Sequence, residues 1–274
     1  MTGRVVIVVG ASSGIGLATA VAFARGADDL VLVSRSGRAL DAAEKACRSA
    51  GAAVVDVVVD DVGDPGCAGR IVEKTLERHG RIDVVVYSAT VMGYGSVEEM
   101  PAEVFTSVVD ISIHSTVHLA QAVLPVLRRQ HAGVLIGVNS LLGSVAVPQM
   151  GSYSAAKWGQ RAVLRTLQQE TRDEPGVHVC IVSPGSVNTP IYYLAAAITR
   201  LADRPRRHVS MPVGITNPFI TTAFRLLPRL YDRLAGPLFR LAALTRTAVS
   251  PTSGNVHEPT PAQEGLHGRW PPST

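Results

Sequence analysis

Residues 4–9 read Arg-Val-Val-Ile-Val-Val, a short run that is nearly all apolar and β-branched. That is the pattern of a strand covered on both faces. A glycine-rich turn comes next, and residues 17–25 then have helical composition. The alternation recurs down the chain: strands are predicted at 30–33, 53–59, 84–87, 134–138 and 177–182, and helices at 38–50, 66–79 and 152–171. Residues 102–130 read as one long helix. Strand and helix in strict alternation predict an α/β fold with a doubly wound parallel sheet of about seven strands and helices on both faces. No repeat of 20 to 50 residues suggests a solenoid.

Beyond Pro190 the pattern changes. Residues 191–201 look helical, Pro205-Arg206-Arg207 breaks the helix, and residues 208–211 are expected to form a last edge strand. Between 218 and 247, Phe219, Phe224, Leu227, Leu230, Tyr231, Leu234, Leu238, Phe239 and Leu241 mix with Arg225, Arg229 and Arg233. The four-residue interval sets the three arginines along one helix face. From residue 250 the chain is rich in Pro, Gly, Ser and Thr and reads as loop or extended structure. The expected organisation is an α/β domain at 1–213, a helical, Arg-rich apolar segment at 214–249 and a tail at 250–274. The middle segment is expected to lay its apolar side over the domain or in a dimer with its arginines in water. Membrane-surface attachment is the competing reading.

Charge sharpens that division. The net charge is +4, but residues 1–198 carry 16 Lys+Arg against 18 Asp+Glu, whereas residues 199–246 carry nine Arg against two Asp. The basic character belongs to one late segment, which is either a solvated helix face or a surface for an anionic partner. Cys47, Cys67 and Cys180 are odd in number and widely scattered. Neither a disulfide framework nor a metal site is expected, and a cytoplasmic compartment fits best. The chain enters its first strand directly and has no uninterrupted apolar run of about 18 residues, so neither a secretion signal nor a membrane span is predicted.

The first turn, Gly10-Ala11-Ser12-Ser13-Gly14-Ile15-Gly16, lies between a buried strand and a helix. There glycines let backbone amides approach a pyrophosphate at the helix N-terminus. At the end of the second strand, Ser34-Arg35-Ser36 offers no acid for a ribose 2′-hydroxyl but an arginine suited to a 2′-phosphate, which predicts NADP over NAD. Tyr153 and Lys157 stand at i and i+4, neighbours on one helix face. A tyrosine titrates near pH ~10, so it needs nearby positive charge to act as a general acid/base at neutral pH.

These strings, in this order, closely resemble the short-chain dehydrogenase/reductase family. Ser140 lies thirteen residues before Tyr153, the family's spacing for its catalytic serine, and Ser183-Pro184-Gly185-Ser186-Val187-Asn188-Thr189-Pro190 resembles its PGxVxT loop. The resemblance runs from Gly10 to Pro190. It implies a Rossmann-type fold in which Ser140 hydrogen-bonds the substrate oxygen, Tyr153 shuttles the proton, and Lys157 holds the ribose and lowers the tyrosine pKa. It also implies that Asp61 and Val62 contact the adenine, that Ala89 lines the ribose, and that Pro184, Gly185, Val187 and Thr189 surround the nicotinamide. A homodimer or homotetramer acting on a small carbonyl or alcohol is implied, with no nucleic-acid partner.

Three departures stand close to the chemistry. The family's NNAG string falls at Tyr87-Ser88-Ala89-Thr90, where only Ala89 agrees, so bulky Tyr87 must turn away or change the packing. Ser112 takes the place of an asparagine that orients a water and Lys157 in the family's proton relay. The variable substrate lid before the last strand is missing. The expected function is hydride transfer between NADP(H) and a ketone, aldehyde or secondary alcohol, with Leu141, Leu142, Val145, Tyr192 and Tyr193 favouring an apolar substrate. The alternative is a catalytically impaired NADP-binding sensor or interaction protein of the same fold.

Overall fold

The computed structural model describes residues 3–185, 191–205, 210–213, 217–243 and 255–258. Seven strands form one sheet: β1 (Val5–Val9), β2 (Asp29–Ser34), β3 (Val55–Val59), β4 (Val84–Tyr87), β5 (Gly133–Val138), β6 (Val177–Pro184) and β7 (Ser210–Val213). All pairings are parallel, in the order β3-β2-β1-β4-β5-β6-β7. The apolar runs are explained by burial on both faces. In β1, Val6 and Val8 point into one core with Phe23, Leu40 and Ile198, while Ile7 and Val9 point into the other with Ile71, Leu124 and Leu164. Helices α1 (Gly14–Ala24), α2 (Gly37–Ala50) and α7 (Ile191–Asp203) cover the first face. Helices α3 (Cys67–His79), α5 (Ser115–Gln130) and α6 (Gly151–Glu170) cover the second. The strand order reverses direction at β1, next to β4, and such a switch point opens a crevice at the carboxyl ends of the strands.

One expectation is refined and another corrected. Residues 102–130 are helical throughout, but α4 (Ala102–Val109) leads into a π-helical turn, Asp110–His114, before α5 begins. Side chains serve the carbonyls of this wider turn. The Tyr87 phenol donates to Ile111 O, and Thr116 Oγ1 to Ser112 O at 2.7 Å. Such turns are rare inside α-helices and concentrate at functional sites.

The late segment, likewise, forms two helices, α8 (Asn217–Leu226) and α9 (Pro228–Ala243). Pro228 starts the second and disfavours helical backbone at Leu227 before it. Arg225 therefore lies on α8, apart from Arg229 and Arg233 on α9, so the three do not share one helix face. Nor is the whole apolar side covered, because Leu227, Leu230, Leu234 and Leu238 are all exposed.

Candidate active site

The crevice is lined by the segments that leave the carboxyl ends of the strands. After β1, Gly10 has φ +87°, and a Cβ there would meet Ala89 N at 2.7 Å; a Cβ on Gly16 would meet Gly10 O at 2.0 Å. Gly10 lets the turn approach the segment that leaves β4, and Gly16 lets the start of α1 pack against the turn. Gly14, with φ +54°, instead faces open space, its nearest neighbour being Ile191 Cδ1 at 3.9 Å from an added Cβ. Ser13 stands at the N-cap of α1 in extended conformation without a side-chain capping bond, and the first turn carries no acid. The helix start thus leaves backbone N–H groups for an anion, as a pyrophosphate requires. Ser12 is half-buried, and Ile15 packs against the core beneath.

At the end of β2, Ser34 Oγ accepts from Ser36 N at 3.2 Å, and Ser36 caps α2 by accepting from Ala39 N. Arg35 does not reach into open space. Its guanidinium donates to three backbone carbonyls of the distant tail: Asn255 O at 2.8 Å, His257 O at 3.1 Å and Val256 O at 3.2 Å. Val256 itself is buried in the cluster that contains Tyr153. After β3, Asp61 is exposed and accepts from Gly63 N at 2.9 Å, while half-buried Val62 packs under the crevice and accepts Ser115 Oγ at 2.6 Å. Ala89 is half-buried after β4. Tyr87 turns away from the crevice into the core, so its bulk anchors the π-turn and does not crowd the cleft.

The chemical end is built by β5 and α6. Ser140 caps the short turn Leu141–Gly143, with its Oγ accepting Leu142 N at 3.2 Å. Tyr153 and Lys157 project from the first turns of α6, both buried, with Lys157 Nζ 5.7 Å from the Tyr153 ring centre. Burial pushes the Tyr153 phenol up to about 12, against which hydrogen bonding with Ser140 and Thr90 pulls. Burial pushes the Lys157 ammonium down to about 7. A shared helix face makes the two neighbours, but the lysine stem carries Nζ to core acceptors, Val138 O and Gln160 Oε1, each at 3.0 Å.

Gln160 escaped the sequence reading. It is fully buried and joins the catalytic end to the π-turn: Oε1 accepts from Lys157 Nζ and from Asn139 Nδ2 at 3.1 Å, and Nε2 donates to Thr116 Oγ1 at 3.2 Å, which donates to Ser112 O. The one available signal was a glutamine three residues after Lys157, on the same helix face. Ser112 is fully buried, and its Oγ makes no hydrogen bond among the described residues. The position enters this chain through its carbonyl. Gly143 is required beside the network, since a Cβ there would sit 2.0 Å from Asn139 Oδ1. Pro184 ends β6 with Gly185 after it, both half-buried; Val187 and Thr189 lie outside the described residues.

Helices α8 and α9 sit at the rim. The Phe224 ring meets Trp158 of α6 edge-on at 6.2 Å and Tyr231 at 5.0 Å; the Tyr231 phenol donates to Ala146 O at 3.0 Å. Phe239 packs against the Tyr153 cluster.

Known proteins are similar to this chain in sequence and fold. The family model for short chain dehydrogenase matches residues 4–195. A sepiapterin reductase from Chlorobaculum tepidum is 29% identical over 224 residues, covering 79% of this chain and 88% of that protein. A protein assigned as a ketoacyl reductase of the monensin polyketide synthase, from Streptomyces virginiae, is 31% identical over 262 residues, covering 93% of this chain and 96% of that one. The crystal structure of a metagenomic short-chain oxidoreductase in complex with NADP matches with a TM-score of 0.72 at 26% identity, covering 78% of this chain and 99% of that one.

Proposed function

The chain belongs to the short-chain dehydrogenase/reductase family of oxidoreductases, and we propose that it is an NADP(H)-dependent enzyme interconverting an apolar ketone or aldehyde and the corresponding secondary or primary alcohol. The observation that carries this reading is the meeting of Ser140, Tyr153 and Lys157 at the carboxyl end of β5, beside a glycine turn whose helix start is open to an anion. Bound NADPH supplies the hydride. Ser140 then holds the carbonyl oxygen, and Tyr153, a weak acid by burial, keeps its proton until negative charge develops on that oxygen. Hydrogen bonds that tighten on the developing oxyanion lower the barrier. Lys157 in its protonated form is the nearby cation that eases loss of the phenolic proton. Half-buried Leu141 and Leu142 and buried Val145 make the surroundings apolar.

Preference for NADP rests on Arg35. Neutral carbonyls now occupy its guanidinium, and a 2′-phosphate offers it bonds to an opposite full charge. The tail contact then yields to the cofactor, and shortening the chain to residue 249 should tighten NADPH binding. Calorimetric titration tests this: NADPH should bind more tightly than NADH by about ten-fold to a hundred-fold, from bonds worth roughly 1.5–3 kcal/mol. Arg35→Asp should reverse the order, and equal affinities in the parent would remove the argument. NADPH oxidation across a panel of carbonyl compounds tests the reaction.

A second reading, an NADP-binding sensor with little turnover, draws on one observation: Lys157 is held by Val138 O and Gln160 while the phenol sits near 12. Cofactor binding with no turnover on any carbonyl compound would favour it. A homodimer or homotetramer, implied by the family resemblance, and a cytoplasmic setting, supported by Cys47, Cys67 and Cys180 all being buried thiols, belong to the same proposal.

A further inference from the structure

Helix α9 meets the protein with one side only. Tyr231 and Phe239 face the domain, Tyr231 through Ala146 O and Phe239 through the Tyr153 cluster, and Gly236 lies against Pro148. Flanking that side, Leu227, which immediately precedes α9, and Leu230, Leu234 and Leu238 on it are 55%, 51%, 48% and 58% exposed. Their spacing of three, four and four residues keeps them in one row along the axis, because 3.6 residues complete a turn. Arg229 and Arg233 are exposed in a second row, about 120° around the helix from the leucines by the same geometry. Arg225, also exposed, adds to the basic side from the end of α8. The packed face, the leucine row and the arginine row thus divide the helix surface among them.

An exposed contiguous leucine row marks an interaction surface, and the arginines indicate its chemistry. Residues 199–246 carry nine Arg against two Asp, whereas the 198 residues before them carry a small acidic excess. A second copy of the chain paired antiparallel fits poorly. In an antiparallel two-fold pairing over the leucines, both arginine rows fall on the same edge and repel. Surface-lying helices combine an apolar row with an adjoining cationic row, placing the first at the acyl boundary and the second at the headgroups. We propose that α9 docks this protein in the plane of an anionic lipid surface, with Leu227, Leu230, Leu234 and Leu238 inserted and Arg229 and Arg233 on lipid phosphates. Among the described residues no helix is long and apolar enough to cross a membrane, so the attachment is peripheral and reversible.

The test is co-sedimentation of the full chain with vesicles of phosphatidylcholine alone or mixed with phosphatidylserine, at low and high salt. Binding is expected on the mixed vesicles, at least ten-fold weaker on phosphatidylcholine, and falling with salt as the charges are screened. Each arginine near the surface contributes roughly five-fold to affinity, so the double substitution Arg229→Gln/Arg233→Gln should weaken binding by roughly twenty-five-fold. Leu230→Asp/Leu234→Asp should abolish it while circular dichroism stays that of the parent, since both side chains are exposed. Absence of binding to every vesicle, or binding indifferent to the leucine substitutions, overturns the proposal. So does a parent dimer in sedimentation equilibrium that the leucine substitutions dissociate, which would assign the row to a second copy.

Discussion

Helices α6 and α9 depart from the rule of apolar inside and polar outside in opposite directions. The first buries Lys157, Gln160, Ser152, Ser154 and Gln168, while the second leaves Leu230, Leu234 and Leu238 in water. The two departures differ in cost. A buried amide or ammonium without partners costs several times what its hydrogen bond returns, so Lys157 and Gln160 are held in a network reaching Val138, Asn139 and Thr116, and Gln168 Nε2 donates to Val179 O at 3.0 Å. An exposed leucine merely forgoes a gain, so α9 needs no compensation within its own chain. A costly exception points inward to chemistry, and a cheap one points outward to a partner.

The largest effect that would break this comparison is on catalysis. Tyr153→Phe should reduce carbonyl turnover by about 10²–10⁴-fold, the span of general acid–base contributions, with NADPH affinity unchanged; parental turnover in the variant would remove the acid/base role.

Next comes the cost of burying Lys157. Its pKa falls from 10.5 to about 7 on folding, so between those pH values the unfolded chain holds a proton that the folded chain has released. From this group, stability rises with pH across that window, by at most about 5 kcal/mol at 1.36 kcal/mol per pH unit. The Tyr153 phenol, raised from 10.0 to about 12, works the other way, and its contribution is lost as pH climbs above 10. Urea midpoints from pH 7 to 9.5 should therefore climb in the parent and flatten in Lys157→Met. Equal slopes would show that the lysine is not desolvated.

Gln160 sharpens the same point. Gln160→Leu, which leaves Lys157 Nζ and Asn139 Nδ2 short of an acceptor, should cost about 1–3 kcal/mol. Gln160→Glu puts a negative charge 3.0 Å from Nζ and should raise the lysine pKa, narrowing the window over which stability climbs. A filler role for Gln160 predicts no such change in slope. On α9, Leu234→Ser should stay within about 0.5 kcal/mol of the parent, whereas Leu164→Ala, in the packed interior of α6, should cost about 2–5 kcal/mol. Comparable losses at both positions would show that the α9 row is covered in the free protein.

Much was determined by the amino-acid sequence itself. Strands buried on both faces must be apolar throughout, so β1 to β6 stood out as short β-branched runs, and parallel pairing then gathers their carboxyl-terminal turns at one edge. The 10–16 turn, Arg35, Asp61, Ala89, Ser140 and Pro184 share that edge for this reason, and the helical repeat alone makes Tyr153 and Lys157 neighbours. What only the tertiary structure decided involves partners far apart in the chain. Arg35 donates to carbonyls some 220 residues away, and the π-turn exists where Tyr87, from another element, serves Ile111 O. Lys157 turns from the phenol to Gln160 and Val138, and the α9 leucines stay exposed although their spacing marks an apolar row. Periodicity reports which side of a helix is apolar, but whether a surface lies there to cover it, or an acceptor to receive a donor, depends on how distant elements are placed in space.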